Sequence, residues 1–152
     1  MSGIDRRSFL VLSGGCAAAA GLGCASATHL RWRAADGALS GASDADRVLR
    51  VPLAELERAG AGRPLLVSPG GGAPDVLLVR QGDGVAAVAP DCTHWGSTVD
   101  WDVTAGQWRC PNHGSRFAPD GAVVEGPADE PLARYVTRVE GGDVLVELPR
   151  KS

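Results

Sequence analysis

Two short segments constrain this chain more than anything else in it: Cys92-Thr93-His94-Trp95-Gly96 and Cys110-Pro111-Asn112-His113-Gly114-Ser115. Each offers one thiol and one imidazole within a few residues, and each runs straight into a glycine. Thiolate and imidazole together make a metal-ligand set. A fold that uses all four side chains must bring two loops from separate hairpins to one place.

Two plainer readings stand beside a shared metal centre. A disulfide between Cys92 and Cys110 suits an oxidising compartment, but it leaves His94, His113, Gly96 and Gly114 unexplained. Structural zinc also takes two cysteines and two histidines, usually in Cys-Cys then His-His order with two or more residues between paired ligands. Here Cys and His alternate, and one residue between Cys92 and His94 is tight for chelating a single ion. A two-iron, two-sulfide cluster accepts this order, with both cysteines on one iron and both histidines on the other.

The run after the second loop narrows the choice. Arg116-Phe117 is followed by Asp120-Gly121-Ala122-Val123-Val124, then Gly126-Pro127-Ala128, Pro131-Leu132 and Tyr135. Together with the loops, this stretch resembles the Rieske iron–sulfur family from about Arg47 to Pro149, most strongly from Asp91 to Tyr135. The resemblance implies an all-β Rieske fold: an antiparallel β-sandwich base carrying a small cluster-binding subdomain. It implies a [2Fe-2S] cluster on Cys92, His94, Cys110 and His113, with Ser115 donating to a bridging sulfide and Pro127, in a third loop, shielding the cluster. Gly96 and Gly114 permit tight loops whose main-chain N–H groups point at sulfur.

The chemistry of such a site follows from its charges. Two ferric ions and two sulfides carry two positive charges, which two cysteinates cancel and neutral imidazoles leave unchanged. Histidine ligation thus eases reduction relative to a four-cysteine site, giving potentials of about −150 to +300 mV. The potential is expected to fall at alkaline pH as imidazoles ionise in the oxidised form. Two departures from the respiratory-complex branch matter. Ser97 and Asn112 stand where that branch has a disulfide pair, and Phe117 stands where the high-potential branch has a tyrosine that hydrogen-bonds a ligand sulfur. The disulfide-lacking branch and an intermediate potential are therefore expected. Trp95 is expected to pack the first loop onto the second, and Trp101 and Trp108 to be core.

Residues 1–27 read as an address. Asp5-Arg6-Arg7-Ser8-Phe9-Leu10 precedes an Ala/Gly/Leu stretch ending at Ala25-Ser26-Ala27, the layout of an export signal. The paired arginines with Phe9-Leu10 resemble a twin-arginine signal, and a cluster inserted before export requires a route for folded protein. A Sec signal, lipidation at Cys24 and retention of residues 1–27 as a membrane tether are the alternatives. The other cysteine outside the two loops, Cys16, lies in the same segment. A location in the periplasm or on the outer face of the cytoplasmic membrane follows.

Residues 28–46, small and polar, read as a linker with a coil length of about 25 Å; His29 in it is taken as a solvated residue. Residues 47–149 are expected, from the resemblance, to form the Rieske domain, and they read as short strands: Val48 to Val51, Pro64 to Ser68, Val76 to Val79, Val85 to Val88, Gln107 to Arg109, Tyr135 to Glu140 and Val144 to Leu148. Leu53 to Arg58 is at most one helical turn. With 152 residues, 44% apolar content and a net charge of −3, one domain plus an appendage is expected, and no basic patch points to nucleic acid.

The chain lacks the extra histidines and catalytic domain that a terminal oxygenase needs, and the export signal argues against a cytoplasmic ferredoxin. An exported electron-transfer component rather than a stand-alone catalyst is expected. It would serve a redox protein partner, as in the arsenite-oxidase type whose layout this resembles, or a quinol-oxidising complex. A zinc-binding or non-redox module on the same fold is the reading from a different class.

Overall fold

The computed structural model describes residues 30–33, 39–40 and 47–149. The export signal, Cys16, Cys24, His29 and most of the expected linker lie outside the described residues. Among the described residues no helix is long and apolar enough to cross a membrane.

The elements in chain order are β1 (Leu30–Arg33), β2 (Leu39–Ser40), β3 (Val48–Pro52), α1 (Leu53–Ala59), β4 (Leu65–Ser68), β5 (Val76–Gln81), β6 (Gly84–Val88), β7 (Asp100–Asp102), β8 (Gln107–Arg109), β9 (Arg116–Phe117), β10 (Val123–Glu125), β11 (Arg134–Glu140) and β12 (Asp143–Glu147). The larger sheet runs β1-β4-β5-β6-β11-β12-β3-β2, and the smaller one β10-β9-β8-β7. Pairing is antiparallel apart from β1 on β4. This is the all-β architecture expected, with the small sheet carrying the two Cys/His loops.

β11 joins the two halves of the large sheet. Its first residues, Arg134 and Tyr135, pair with Val88 and Ala87 of β6, and Val136 to Glu140 pair with β12. The halves on either side share one core, in which Leu49, Val51, Val144 and Val146 meet Leu65, Val67, Val76 and Leu78. Successive strand residues point to opposite faces, so Leu66, Leu77 and Val79 enter a second core. There they join Val99, Trp101, Trp108, Phe117, Ala128, Leu132 and both loop cysteines. β4 and β5 are therefore buried on both faces, which is why Leu65-Leu66-Val67 and Val76-Leu77-Leu78-Val79 are unbroken apolar runs rather than alternating ones.

Trp101 and Trp108 lie opposite each other on β7 and β8, edge to face with ring centroids 4.5 Å apart. The Trp101 indole N–H donates to Gly62 O at 2.6 Å and that of Trp108 to Pro119 O at 3.0 Å. Both are core residues, as the sequence suggested, and the first also ties the small sheet to the α1–β4 loop. Arg116 on β9 reaches Asp102 on one side and Glu125 on the other.

Two local expectations differ. α1 runs for seven residues, about two turns, because Leu56 buries against the core and an Arg58–Glu55 pair lies on its surface. β1 and β2 fall within residues 28–46, where a linker was expected. Both are edge strands held by main-chain pairing, with β1 on β4 and β2 on β3, and such pairing needs no apolar periodicity.

Candidate functional site

The two Cys/His loops connect β6 to β7 and β8 to β9, and they are built alike. In the first, Cys92 N–H donates to Ser97 O at 2.8 Å and Gly96 N–H to Cys92 O at 2.7 Å. In the second, Cys110 N–H donates to Ser115 O at 2.8 Å and Gly114 N–H to Cys110 O at 3.0 Å. The shared spacing of Cys, Gly and Ser sets this common turn, and both glycines adopt left-handed backbone, φ 72° at Gly96 and 81° at Gly114. Only the histidine differs in place: His94 follows its cysteine by two residues and His113 by three.

All four candidate ligands converge, and they do so in pairs. Cys92 and Cys110 are buried in the same core and free of any disulfide. The His94 and His113 rings meet edge to face, centroids 4.9 Å apart. Among the described residues, no three His, Cys, Asp or Glu side chains gather about a single ion.

Burial pushes the Cys92 thiol above its ordinary value, and the neighbouring Cys110 adds to this, while the main-chain N–H groups of His94 and Trp95 act in the opposite sense. Those N–H groups point at sulfur, as the glycine-closed turn was expected to allow. A buried sulfur with such donors is prepared for a thiolate that a cation stabilises. His94 Nδ1 is buried without a hydrogen-bond partner, a cost that a metal bond removes. This donor set fits a binuclear cluster with sulfur ligands on one side and nitrogen ligands on the other.

The third loop closes over this arrangement. Ser115 is fully buried, and its Oγ accepts a hydrogen bond from Ala128 N–H at 3.0 Å. Its own O–H is thereby left to donate elsewhere. Pro127, preceded by a cis peptide bond, is exposed beside buried Ala128. Thr93 Oγ1 donates to Glu130 O at 2.6 Å, fastening the first loop to the third. Phe117 is fully buried in the same core as both cysteines, presenting no hydroxyl to them.

Trp95 does more than pack one loop on the other. Its ring stacks on His94 at 5.4 Å and meets His113 at 5.3 Å, yet 76% of it remains exposed. His113 is exposed beside it. Sequence reasoning did not anticipate three contacts: Ser115 with Ala128, Thr93 with Glu130, and Asn112 Nδ2 donating to Ser97 Oγ at 2.6 Å. The matched Cys-x-x-x-Gly-Ser spacing was the available signal that the two loops share a turn.

The chain is similar to several known proteins. The cytochrome b6-f complex iron-sulfur subunit of Chlorobaculum tepidum is 37% identical over 73 residues, covering 48% of this chain and 40% of the relative. Subunit 3 from Nostoc sp. is 39% identical over 83 residues, 53% of this chain and 47% of the relative. The chain thus spans less than half the length of these relatives. Among solved structures, the plasma membrane Rieske protein PetC3 from Synechocystis superposes with a TM-score of 0.52 at 34% identity, covering 62% of this chain and 92% of that one. The ferredoxin of carbazole 1,9a-dioxygenase from Nocardioides aromaticivorans gives 0.53 at 28%, covering 65% and 93%. The family model of the Rieske [2Fe-2S] domain matches residues 51–136. This chain belongs to the Rieske family, and its cofactor is a Rieske-type [2Fe-2S] cluster.

Proposed function

We propose that this chain is an exported single-electron carrier whose cluster is held by Cys92 and Cys110 on one iron and by His94 and His113 on the other. The observation that carries this reading is the segregation of the four side chains, both thiols in one buried core and imidazole against imidazole toward the surface. When bound, the cluster supplies a reversible one-electron couple. The protein's part is to position it. Buried Cys92 and Cys110 keep water from the sulfur side. His94 offers its unpartnered Nδ1 to iron, and exposed His113 and Trp95 provide a contact surface for a redox partner. Ser115 donates its free O–H toward the cluster, and Pro127 in the third loop covers it.

The cytochrome b6-f relatives favour a membrane-associated, quinol-oxidising complex as the partner over the arsenite-oxidase type. Residues 1–27 serve as a twin-arginine signal or a retained tether, placing the domain in the periplasm or on the outer face of the cytoplasmic membrane. Phe117, lacking a hydroxyl, supports an intermediate potential.

Metal and sulfide analysis of the purified protein tests the ligand set. Wild type should carry iron and sulfide, two of each per chain as a [2Fe-2S] cluster requires, and His113→Ala should carry essentially none. Stoichiometric zinc in wild type, or full iron in the variant, would contradict the assignment.

A further inference from the structure

The two loops have no covalent link, since Cys92 and Cys110 are both free, and both need their histidines held within one small space. Each loop is closed by its own main-chain hydrogen bonds. Each is also fastened to the third loop, through Thr93 and Glu130 on one side and Ser115 and Ala128 on the other. These ties join the two cluster loops only by way of the third. One side-chain hydrogen bond passes directly from loop to loop, from Asn112 Nδ2 to Ser97 Oγ at 2.6 Å. Asn112 immediately precedes His113, and Ser97 is two residues from Trp95, whose ring touches both imidazoles.

The like-built turns give Ser97 a further meaning. Ser97 and Ser115 occupy the same place in their loops, each receiving its cysteine's N–H on its carbonyl. The Ser115 hydroxyl accepts from the third loop, whereas the Ser97 hydroxyl accepts from the opposite cluster loop. The first loop thus uses this serine to grip the second.

We propose that Ser97 and Asn112 form a latch that holds the two cluster loops against each other, making both of them positioning residues for His94 and His113. This rests on the ligand assignment above. With the latch intact, the loop tips stay together and water is kept from the histidine-bound iron. With it broken, the tips part more often and the cluster is lost faster, although the fold remains, since Asn112 is exposed and Ser97 half-buried.

The test is the rate at which the full-length, cluster-loaded protein loses its visible absorbance in the presence of an iron chelator. Ser97→Ala and Asn112→Leu should each speed the loss by about threefold to tenfold, the factor a net hydrogen bond carries. The double variant should be no faster than the worse single one, because both changes remove the same bond. Ser97→Thr, which keeps the acceptor hydroxyl, should restore the wild-type rate. The reduced-state electron paramagnetic resonance lines should broaden in the single variants and sharpen again in Ser97→Thr. If the singles lose their cluster at the wild-type rate, or their effects multiply in the double variant, the latch is overturned while the ligand assignment stands. Wild type with no cluster to lose would overturn the ligand assignment and the latch with it.

Discussion

At Phe117 a single missing oxygen separates this chain from the tyrosine-bearing branch of its family. The ring lies fully buried in the core that holds both loop cysteines, so the position is shaped for an aromatic ring. Hydrogen bonds to cluster sulfur favour the reduced, more negative state. Phe117→Tyr should therefore raise the midpoint potential. An added preference of about 1 kcal/mol for the reduced state corresponds to about 40 mV for one electron. Redox titration of both proteins checks this, and an unchanged or lowered midpoint would show that the added hydroxyl does not reach the sulfur. The four candidate ligands stood out in the sequence because thiol and imidazole recur at short spacing before glycine. The partner of Ser115 was not, because Ala128 is 13 residues away and an amide N–H leaves no mark in sequence.

Elements were legible where turns announce them. Gly82-Asp83-Gly84 and Gly141-Gly142-Asp143 bracket strands that the apolar runs had located, and β5, β6, β11 and β12 lie within a few residues of expectation. β1 and β2 were not legible: at the edges of the sheet they are held by backbone pairing, which leaves no side-chain pattern. The link between the small sheet and the base was equally hidden, since it runs from the Trp101 indole to Gly62 O, 39 residues away. Trp101→Phe keeps an aromatic ring against Trp108 and removes that donor. It should lower unfolding stability by about 0.5–1.5 kcal/mol, the net worth of one hydrogen bond whose carbonyl, on exposed Gly62, water can reach once the indole donor is gone. Chemical denaturation of the metal-free protein measures this. A change below about 0.5 kcal/mol, the range of an ordinary surface substitution, would mean that water replaces the indole at no cost.

At the scale of the whole molecule, the architecture divides labour. The large sheet packs one core against itself and a second against the small sheet, which holds two matched loops whose cysteines face inward and whose histidines reach the surface. That polarity suits a carrier: electrons need a short path to a partner, while the sulfur ligands need protection. The proposed export fits this division of labour, because a folded, cluster-loaded domain needs a route that accepts folded cargo. Replacing Arg6 and Arg7 together by Lys should leave the cluster-loaded protein in the cytoplasm, as cell fractionation would show; continued export would point to another route.

The most direct measurement is low-temperature electron paramagnetic resonance of the purified domain after anaerobic reduction. The ligation assigned here predicts a rhombic signal with the low average g of mixed histidine and cysteine coordination, lost in His113→Ala. A metal-loaded protein that stays silent on reduction, or gives the signal of a four-cysteine cluster, would contradict it.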